Sequence, residues 1–311
     1  MNTATLPLFP AFAPTPRPIA PPAGGTEFID LDRRQILRRV DDPRTGAVWA
    51  LDPYRGCENA CVHCPNRSGH KAFQLLRSQD YEQRVFVERG AAAALERHLA
   101  WHNLRGQTLS LGHFTDPYQE AEERFGITRE VLEVLGRFRG LDLSISTRST
   151  RILEDLDLLA DLDRHHTVTV HLGVPTVDEA LSASLEPGGA TPRGRFDAVR
   201  RLVHAGIATD IRVIPLMPEI NSDEESLRPL FTAALEAGAF DVVAHCLVLP
   251  PATRSRFLPW LEAERPKVAQ HYRKLWGRRS ALRRPDKNRA LATFRRLYLE
   301  MGFPRPTISR G

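Results

Sequence analysis

Strand and helix signals alternate along most of this chain, and that alternation limits the folds open to it. Six short β-rich runs, at 47–51, 108–112, 141–147, 167–174, 209–215 and 241–249, are separated by segments with apolar residues at helical spacing. Val131, Leu132, Val134, Leu135 and Phe138 follow a helix cap at Thr128 and stop at Gly140. Ile152, Leu153, Leu156, Leu159 and Leu162 make a second stripe. A third helix opens at Thr191-Pro192 and runs to Gly206, and a fourth opens on a capping box from Ser222 to Glu225 and runs to Gly238. Strand, helix, strand with short connections requires parallel strands and right-handed crossovers. Six such units are too few for a closed eight-fold barrel and enough for an open, partial (βα)6 barrel of the α/β class. In barrels of this kind the reactive groups sit on loops leaving the C-terminal ends of the strands.

Both ends of the chain depart from this core, which is assigned to 27–250. Residues 1–26 carry Pro7, Pro10, Pro14, Pro16, Pro18, Pro21 and Pro22 before Gly24-Gly25, a composition that reads as a disordered, extended tail. Residues 251–311 read as a basic helical extension with helices at 259–276 and 286–301. Its Arg273, Lys274, Arg278, Arg279, Arg283, Arg284, Lys287, Arg289, Arg295 and Arg296 are interleaved with Tyr272 and Trp276. Cations neutralise phosphates and aromatics stack on bases, so the extension is a candidate nucleic-acid surface. The competing reading is a solvated helical face in an arginine-rich chain whose net charge is only +5. No apolar run approaches the ~20 residues needed to span a bilayer, so no membrane partner is expected. The N-terminus lacks the pattern of a secretory signal, and four cysteines, three of them crowded, fit a reducing cytoplasm better than a disulfide framework.

The crowded cysteines, Cys57, Cys61 and Cys64, have C-x3-C-x2-C spacing in the loop leaving the first barrel strand. Such a loop can bring three thiolates to one face of a compact metal centre. On a four-iron cubane, three thiolates leave one iron open for chemistry. Zinc completed by His63, His70 or Cys246 is the alternative on spacing alone, giving a non-enzymatic, zinc-stabilised nucleic-acid-binding protein. Cys246 as a fourth ligand to an iron–sulfur centre would instead suggest an electron carrier. Its place in an apolar last strand makes a buried, inert thiol the default.

The surrounding words narrow the choice. Pro53-Tyr54-Arg55-Gly56-Cys57, Thr115-Asp116-Pro117-Tyr118-Gln119, Thr147-Arg148-Ser149 and Leu185-Glu186-Pro187 with Arg195 occur in that order. From about Asp52 to Pro250 the chain resembles the radical S-adenosylmethionine (SAM) superfamily, in particular its spore photoproduct lyase-like branch, often labelled "DNA repair photolyase". The resemblance implies a partial barrel holding a [4Fe–4S] cluster on Cys57, Cys61 and Cys64, with SAM on the open iron. Reductive cleavage of SAM would give a 5′-deoxyadenosyl radical that abstracts hydrogen from a substrate, with damaged DNA the family-level guess. A low-potential electron donor of flavodoxin or ferredoxin type is implied as partner. The resemblance makes Thr115, Asp116 and Arg148 the expected neighbours of SAM, Arg148 as a cation able to meet its carboxylate. His63 stands where the family commonly has an aromatic residue near the adenine. Gly173 stands where a small hydroxyl residue is usual on the fourth strand, and Gly188 replaces a basic residue. The bland alternatives are a strand-to-loop turn for Thr115-Asp116, an ion pair of Arg148 with Glu154, and a structural role for His171. Glu186 and Arg195 could pair across the turn that joins them, either to hold the loop or to touch the adenosine ribose.

Overall fold

The computed structural model describes residues 17–19, 25–32, 35–42, 46–75 and 77–303. Its strands are β1 (Arg17–Ile19), β2 (Glu27–Asp30), β3 (Arg38–Asp42), β4 (Ala47–Leu51), β5 (Tyr54–Arg55), β6 (Arg84–Val87), β7 (Thr108–Leu111), β8 (Asp142–Thr147), β9 (Thr167–Gly173), β10 (Ala208–Leu216) and β11 (Val242–Cys246). Its helices are α1 (Asp80–Gln83), α2 (Ala91–Trp101), α3 (Ala121–Phe125), α4 (Ile127–Leu135), α5 (Leu156–Asp163), α6 (Glu179–Leu185), α7 (Pro192–His204), α8 (Glu224–Glu236), α9 (Pro251–Glu264), α10 (Pro266–Trp276), α11 (Arg284–Ala290) and α12 (Ala292–Glu300). Short 3-10 helices occupy Pro65–Phe73 and Thr150–Asp155.

The main sheet has the order β11-β10-β9-β8-β7-β4-β3 and curls into an open half-barrel. Six of its strands, β4 and β7 to β11, run parallel, and they are the six runs expected from sequence. The seventh, β3, pairs antiparallel with β4 at the edge. A smaller sheet, β1-β2-β6-β5, sits apart and was not foreseen, because strands of two to four residues are too short to show a period. Of the tail, Arg17–Ile19 forms an edge strand antiparallel to β2, a place where proline is tolerated, and most of the remainder lies outside the described residues.

Alternation along the parallel strands separates two faces. Leu109, Leu111, Leu143, Ile145, Val168, Val170, Leu172, Ile211 and Val213 enter one buried cluster with Leu132, Leu159, Val199 and Leu202 of the helices. The intervening residues, among them Ser110, Ser144, Thr169, His171, Asp210 and Arg212, therefore face the concave side. A sheet buried on both faces normally reads as continuously apolar. This one lines its concave side with polar groups.

Helix starts follow local chemistry. Thr191 Oγ1 accepts from Gly194 N at 3.1 Å and Pro192 occupies the first turn, as expected. The α8 cap is Asp223, accepting from Ser226 N at 2.8 Å, one residue past Ser222. Thr128 caps nothing: it lies inside α4 with its hydroxyl donating to Pro117 O at 2.5 Å. Among its described residues the extension has four helices where two were expected, because Pro251 already fills a first turn and Pro266 starts a new helix. Its parts pack on the barrel. Phe294 and Tyr298 of α12 join Phe231 of α8 in one aromatic group, while α9 and α10 share a cluster with Val62, Leu185 and Met217.

Candidate active site

The loop carrying Cys57, Cys61 and Cys64 leaves β4 and β5 and is pinned from several sides. Cys57 N donates to Tyr81 O and Val62 N to Leu185 O, both at 2.9 Å, and Gly188 N donates to Asn59 O at 3.1 Å. Gly56 has φ +89°, and a side chain there would meet Arg84 O at 2.5 Å. A side chain at Gly188 would meet Glu58 O at 2.3 Å, so glycine is what lets the 185–188 turn lie against the loop. Buried Arg67 donates to Cys61 O at 2.7 Å and pairs with Glu82 at 2.7 Å. Thr253 of α9 donates to Cys64 O at 2.7 Å.

Burial pushes the Cys57 thiol up to about 12, the Cys64 thiol upward, and the Cys61 thiol well above its ordinary value. Main-chain N–H groups of Asp116 and Asn59 approach the Cys57 sulfur, and that of Asn66 approaches Cys64. Buried thiols of this kind carry negative charge only when a metal centre shares it, and N–H donors are what a ligated sulfur accepts. The trio therefore fits a metal–sulfur centre. A tetrahedral zinc would draw its sulfurs to about 3.8 Å of one another. Among the described residues the one His/Cys/Asp/Glu set whose donor atoms all lie within 4.8 Å is Cys61, His63 and Glu186, not the three cysteines. That set is an ion-pair network already supplied with two guanidinium groups, a poor place for a cation. Cys246 packs against the main core, with Lys287 and Arg295 as its charged neighbours.

The resemblance-based neighbours converge beside the loop. Asp52 Oδ1 accepts from Phe114 N and Thr115 N at 2.8 and 3.1 Å, and Thr115 Oγ1 donates to Tyr54 O at 2.9 Å. Asp116 accepts from Asn59 Nδ2 at 2.8 Å, Thr147 Oγ1 at 2.6 Å, Arg148 N at 2.7 Å and Tyr118 N at 3.0 Å. Its carboxylate thus ties the cysteine loop to the ends of β7 and β8. Arg148 pairs with Glu186, not Glu154, through Nε to Oε1 at 2.8 Å. The same oxygen lies 3.0 Å from His63 Nε2, and Oε2 meets Arg195 Nη1 at 2.5 Å, so the expected Glu186–Arg195 pair is present inside a larger network. Burial alone would raise the Glu186 carboxyl, but Arg195, Arg148 and His63 outweigh it and hold it well below the usual range. Burial lowers the His63 pKa despite Glu186. Gly173 lies under the Arg148 side chain, whose Cγ would be 2.9 Å from an added Cβ.

On the concave face, His171 Nε2 lies 3.0 Å from Ser144 Oγ, and its Nδ1 lies 2.9 Å from Asp210 and 2.8 Å from Arg212 Nη2. By strand register His171 is two residues below Gly173, on the same face. Sequence reasoning missed Asp210 and Arg212, which pair with each other two residues apart on β10 and meet His171 only across the neighbouring strand. It missed Asn59, Arg67 and Thr253 because they act through main-chain carbonyls or distant carboxylates. Gln119, which donates to Gly56 O at 3.2 Å, belongs to the motif that starts at Thr115, where nothing in the sequence marked its role. Tyr272 and Trp276 are fully buried and stack on each other with ring centroids 4.6 Å apart, so neither is available to a nucleic-acid base.

Among solved structures, a cysteine-to-serine mutant of spore photoproduct lyase superposes with a TM-score of 0.64 at 15% identity, covering 88% of this chain and 79% of that one. A double mutant of that lyase with bound AdoMet and dinucleoside spore photoproduct gives 0.62 over the same shares, at 15% identity. An uncharacterized protein of Mycobacterium tuberculosis (strain ATCC 25618 / H37Rv) is 30% identical over 262 residues, 83% of this chain and 76% of its own length. One from Methanocaldococcus jannaschii is 24% identical over 194 residues, 62% and 69% of the two chains. A family model described as "Radical SAM superfamily" matches residues 51–228, which span the cysteine loop and the strands from β7 to β10. The chain belongs to the radical SAM superfamily, enzymes that work with a [4Fe–4S] cluster and SAM.

Proposed function

We propose that Cys57, Cys61 and Cys64 hold the cluster and that the adjoining mouth of the half-barrel receives SAM and then substrate. The observation that carries this reading is one loop with three buried or half-buried thiols and main-chain N–H donors, set where the parallel strands end. When bound, cluster and SAM together supply a carbon radical able to take a hydrogen atom from substrate. The chain's own residues position and enclose that chemistry. Asp116 fixes the Arg148 main chain, Glu186 fixes its guanidinium, and Gly173 leaves the space that guanidinium needs. Thr115 and His63 complete the rim. Ser144, His171, Asp210 and Arg212 form the floor that meets the substrate, and their hydrogen-bonding character favours a polar group there.

Damaged DNA is the substrate class we favour. Its support is the likeness to a lyase structure holding a dinucleoside photoproduct, together with the exposed Arg278 and Arg279 on the loop where Ser280 O accepts from Leu249 N just past β11, and Arg284 at the start of α11. Those cations can meet phosphates beside the mouth; the buried aromatics of α10 take no part. A cytoplasmic setting agrees with reduced thiols, and no helix among the described residues is long and apolar enough to cross a membrane.

Anaerobically reconstituted protein should be brown, hold about four irons and four sulfides, and release 5′-deoxyadenosine when given SAM and dithionite. Replacing Cys57, Cys61 or Cys64 singly by alanine should abolish that release, whereas Cys246→Ala should retain the cluster. Colourless protein with stoichiometric zinc, or loss of the cluster in Cys246→Ala, would overturn the assignment.

A further inference from the structure

A tyrosine that neither the motifs nor the resemblance marked stands against the cysteine loop. Tyr81 belongs to α1, a single helical turn fixed from several sides. Cys57 N donates to Tyr81 O at 2.9 Å, Arg67 Nη1 donates to Ser78 O at 3.0 Å, and Ser78 Oγ donates to Ala252 O at 2.9 Å. The Tyr81 ring lies 5.2 Å from that of His70, tilted against it, and only 3% of the residue is exposed. Phenylalanine would fill this space equally well, so the hydroxyl needs its own explanation.

That hydroxyl has two acceptors and one proton. It donates to Phe114 O at 2.8 Å, and the Cys64 sulfur is also within its hydrogen-bonding reach. Burial, and then negative charge on Cys64 and Cys57, hold the phenol well above its ordinary pKa, so the proton stays on it. Phe114 O does not depend on this bond, because Asn66 Nδ2 also donates to it at 2.8 Å. Turning the O–H about its C–O bond therefore leaves no orphaned carbonyl behind. The charge on the sulfur decides between the acceptors, since a hydrogen bond to an ionised acceptor is roughly twice as strong as one to a neutral group. The main-chain N–H of Asn66 approaches the same sulfur but is fixed in place. Tyr81 is the donor that can turn.

We propose that Tyr81 is a switchable hydrogen-bond donor to Cys64 that favours the reduced state of the metal–sulfur centre held by the loop. The inference rests on the cluster assignment above and concerns a residue outside the ligand set. One electron passes from a reductant to the thiolate-held centre, part of its charge falls on the sulfurs, and Tyr81 turns its O–H from Phe114 to Cys64. No covalent bond breaks, and the proton stays on the phenol oxygen throughout. Hydrogen bonds to the sulfurs are among the factors that set the potential of such centres.

The test uses anaerobically reconstituted protein without SAM, titrated electrochemically with viologen mediators and followed by the EPR signal of the reduced state. At the wild-type midpoint, Tyr81→Phe should lower the ratio of reduced to oxidised centre at least fivefold, about 40 mV at 59 mV per tenfold for one electron. Its iron content should match wild type. Tyr272→Phe, which removes another buried hydroxyl bonded to a carbonyl, Pro218 O, should leave the ratio unchanged. In reduced protein exchanged into D2O, deuterium electron–nuclear double resonance should show a coupling that Tyr81→Phe loses. An unchanged or raised ratio in Tyr81→Phe would overturn the proposal, as would an equal fall in Tyr272→Phe. So would loss of iron with the remaining centres at the wild-type ratio, which would make the hydroxyl a structural pin. Wild-type protein that takes up no iron sinks the cluster assignment itself, and is read before any variant is titrated.

Discussion

Glu186 is completely enclosed, and two guanidinium groups and an imidazole converge on its two oxygens. Removing its charge would leave Arg195, itself fully buried, without its counter-ion. Breaking a buried pair from one side costs roughly 3–5 kcal/mol, so Glu186→Gln should lose that much in chemical denaturation at neutral pH. Its carboxyl is held below the usual range, so the wild type's advantage should be complete above the ordinary carboxylate pKa and fade as pH falls toward the depressed folded value. An advantage that grew on acidification would contradict the network. At this scale the sequence was partly legible. The Glu186–Arg195 pair is local enough to be read across one turn, whereas Arg148 chose a carboxylate 38 residues away over one six residues away. The reason is position: the C-terminal ends of β8 and β9 are adjacent, and Gly173 leaves room for the side chain to cross between them.

Among the elements, the parallel strands were legible because each has an apolar face of period two and is bounded by turn residues. The helices were legible where a cap and a stripe agree, as at Thr191. They were misread in the extension, where the helix expected at 259–276 is two, α9 and α10, and Pro259 sits inside α9. The α12 helix depends on an aromatic group no stripe could reveal. Phe294 lies 5.1 Å from Phe231, Phe303 lies 5.7 Å from Phe231, and Tyr298 donates to Asp241 at 2.6 Å. Phe294→Ala should lower stability by about 3–5 kcal/mol while leaving the iron content of folded protein unchanged. A matching loss of iron would show that α12 and the metal loop are coupled.

For the whole molecule, the main surprise is that the extension completes the site. Composition and charge left two readings of it, a nucleic-acid surface and a solvated helical face. In the fold its α9 start lies behind the cysteines, and much of its charge is spent internally: Arg273 pairs with Glu262, Arg283 with Asp286, and Arg296 with Glu224 and Glu300. Surface pairs of this kind contribute little stability each, about 0–1 kcal/mol, so packing holds the extension. Thr253→Val keeps the shape and removes the side-chain donor to Cys64 O, which as the cap of the 3-10 helix at Pro65–Phe73 keeps its main-chain bond, at a cost of about 0.5–1.5 kcal/mol. The variant should fold and should lose its cluster several-fold faster in air than wild type, read by the decay of its visible absorbance. Equal decay would mean the bond serves stability alone.

That same hydroxyl sets a schedule for biogenesis. It lies 189 positions downstream of the carbonyl it caps. At ordinary translation rates of about 5–20 residues per second, the ribosome needs roughly ten to forty seconds to cover that interval. Until then the nascent thiols wait in a half-built cradle, open to oxygen and to stray cations. If these thiols hold the cluster as proposed, iron delivered before the start of α9 has emerged would meet a cradle that lacks this cap.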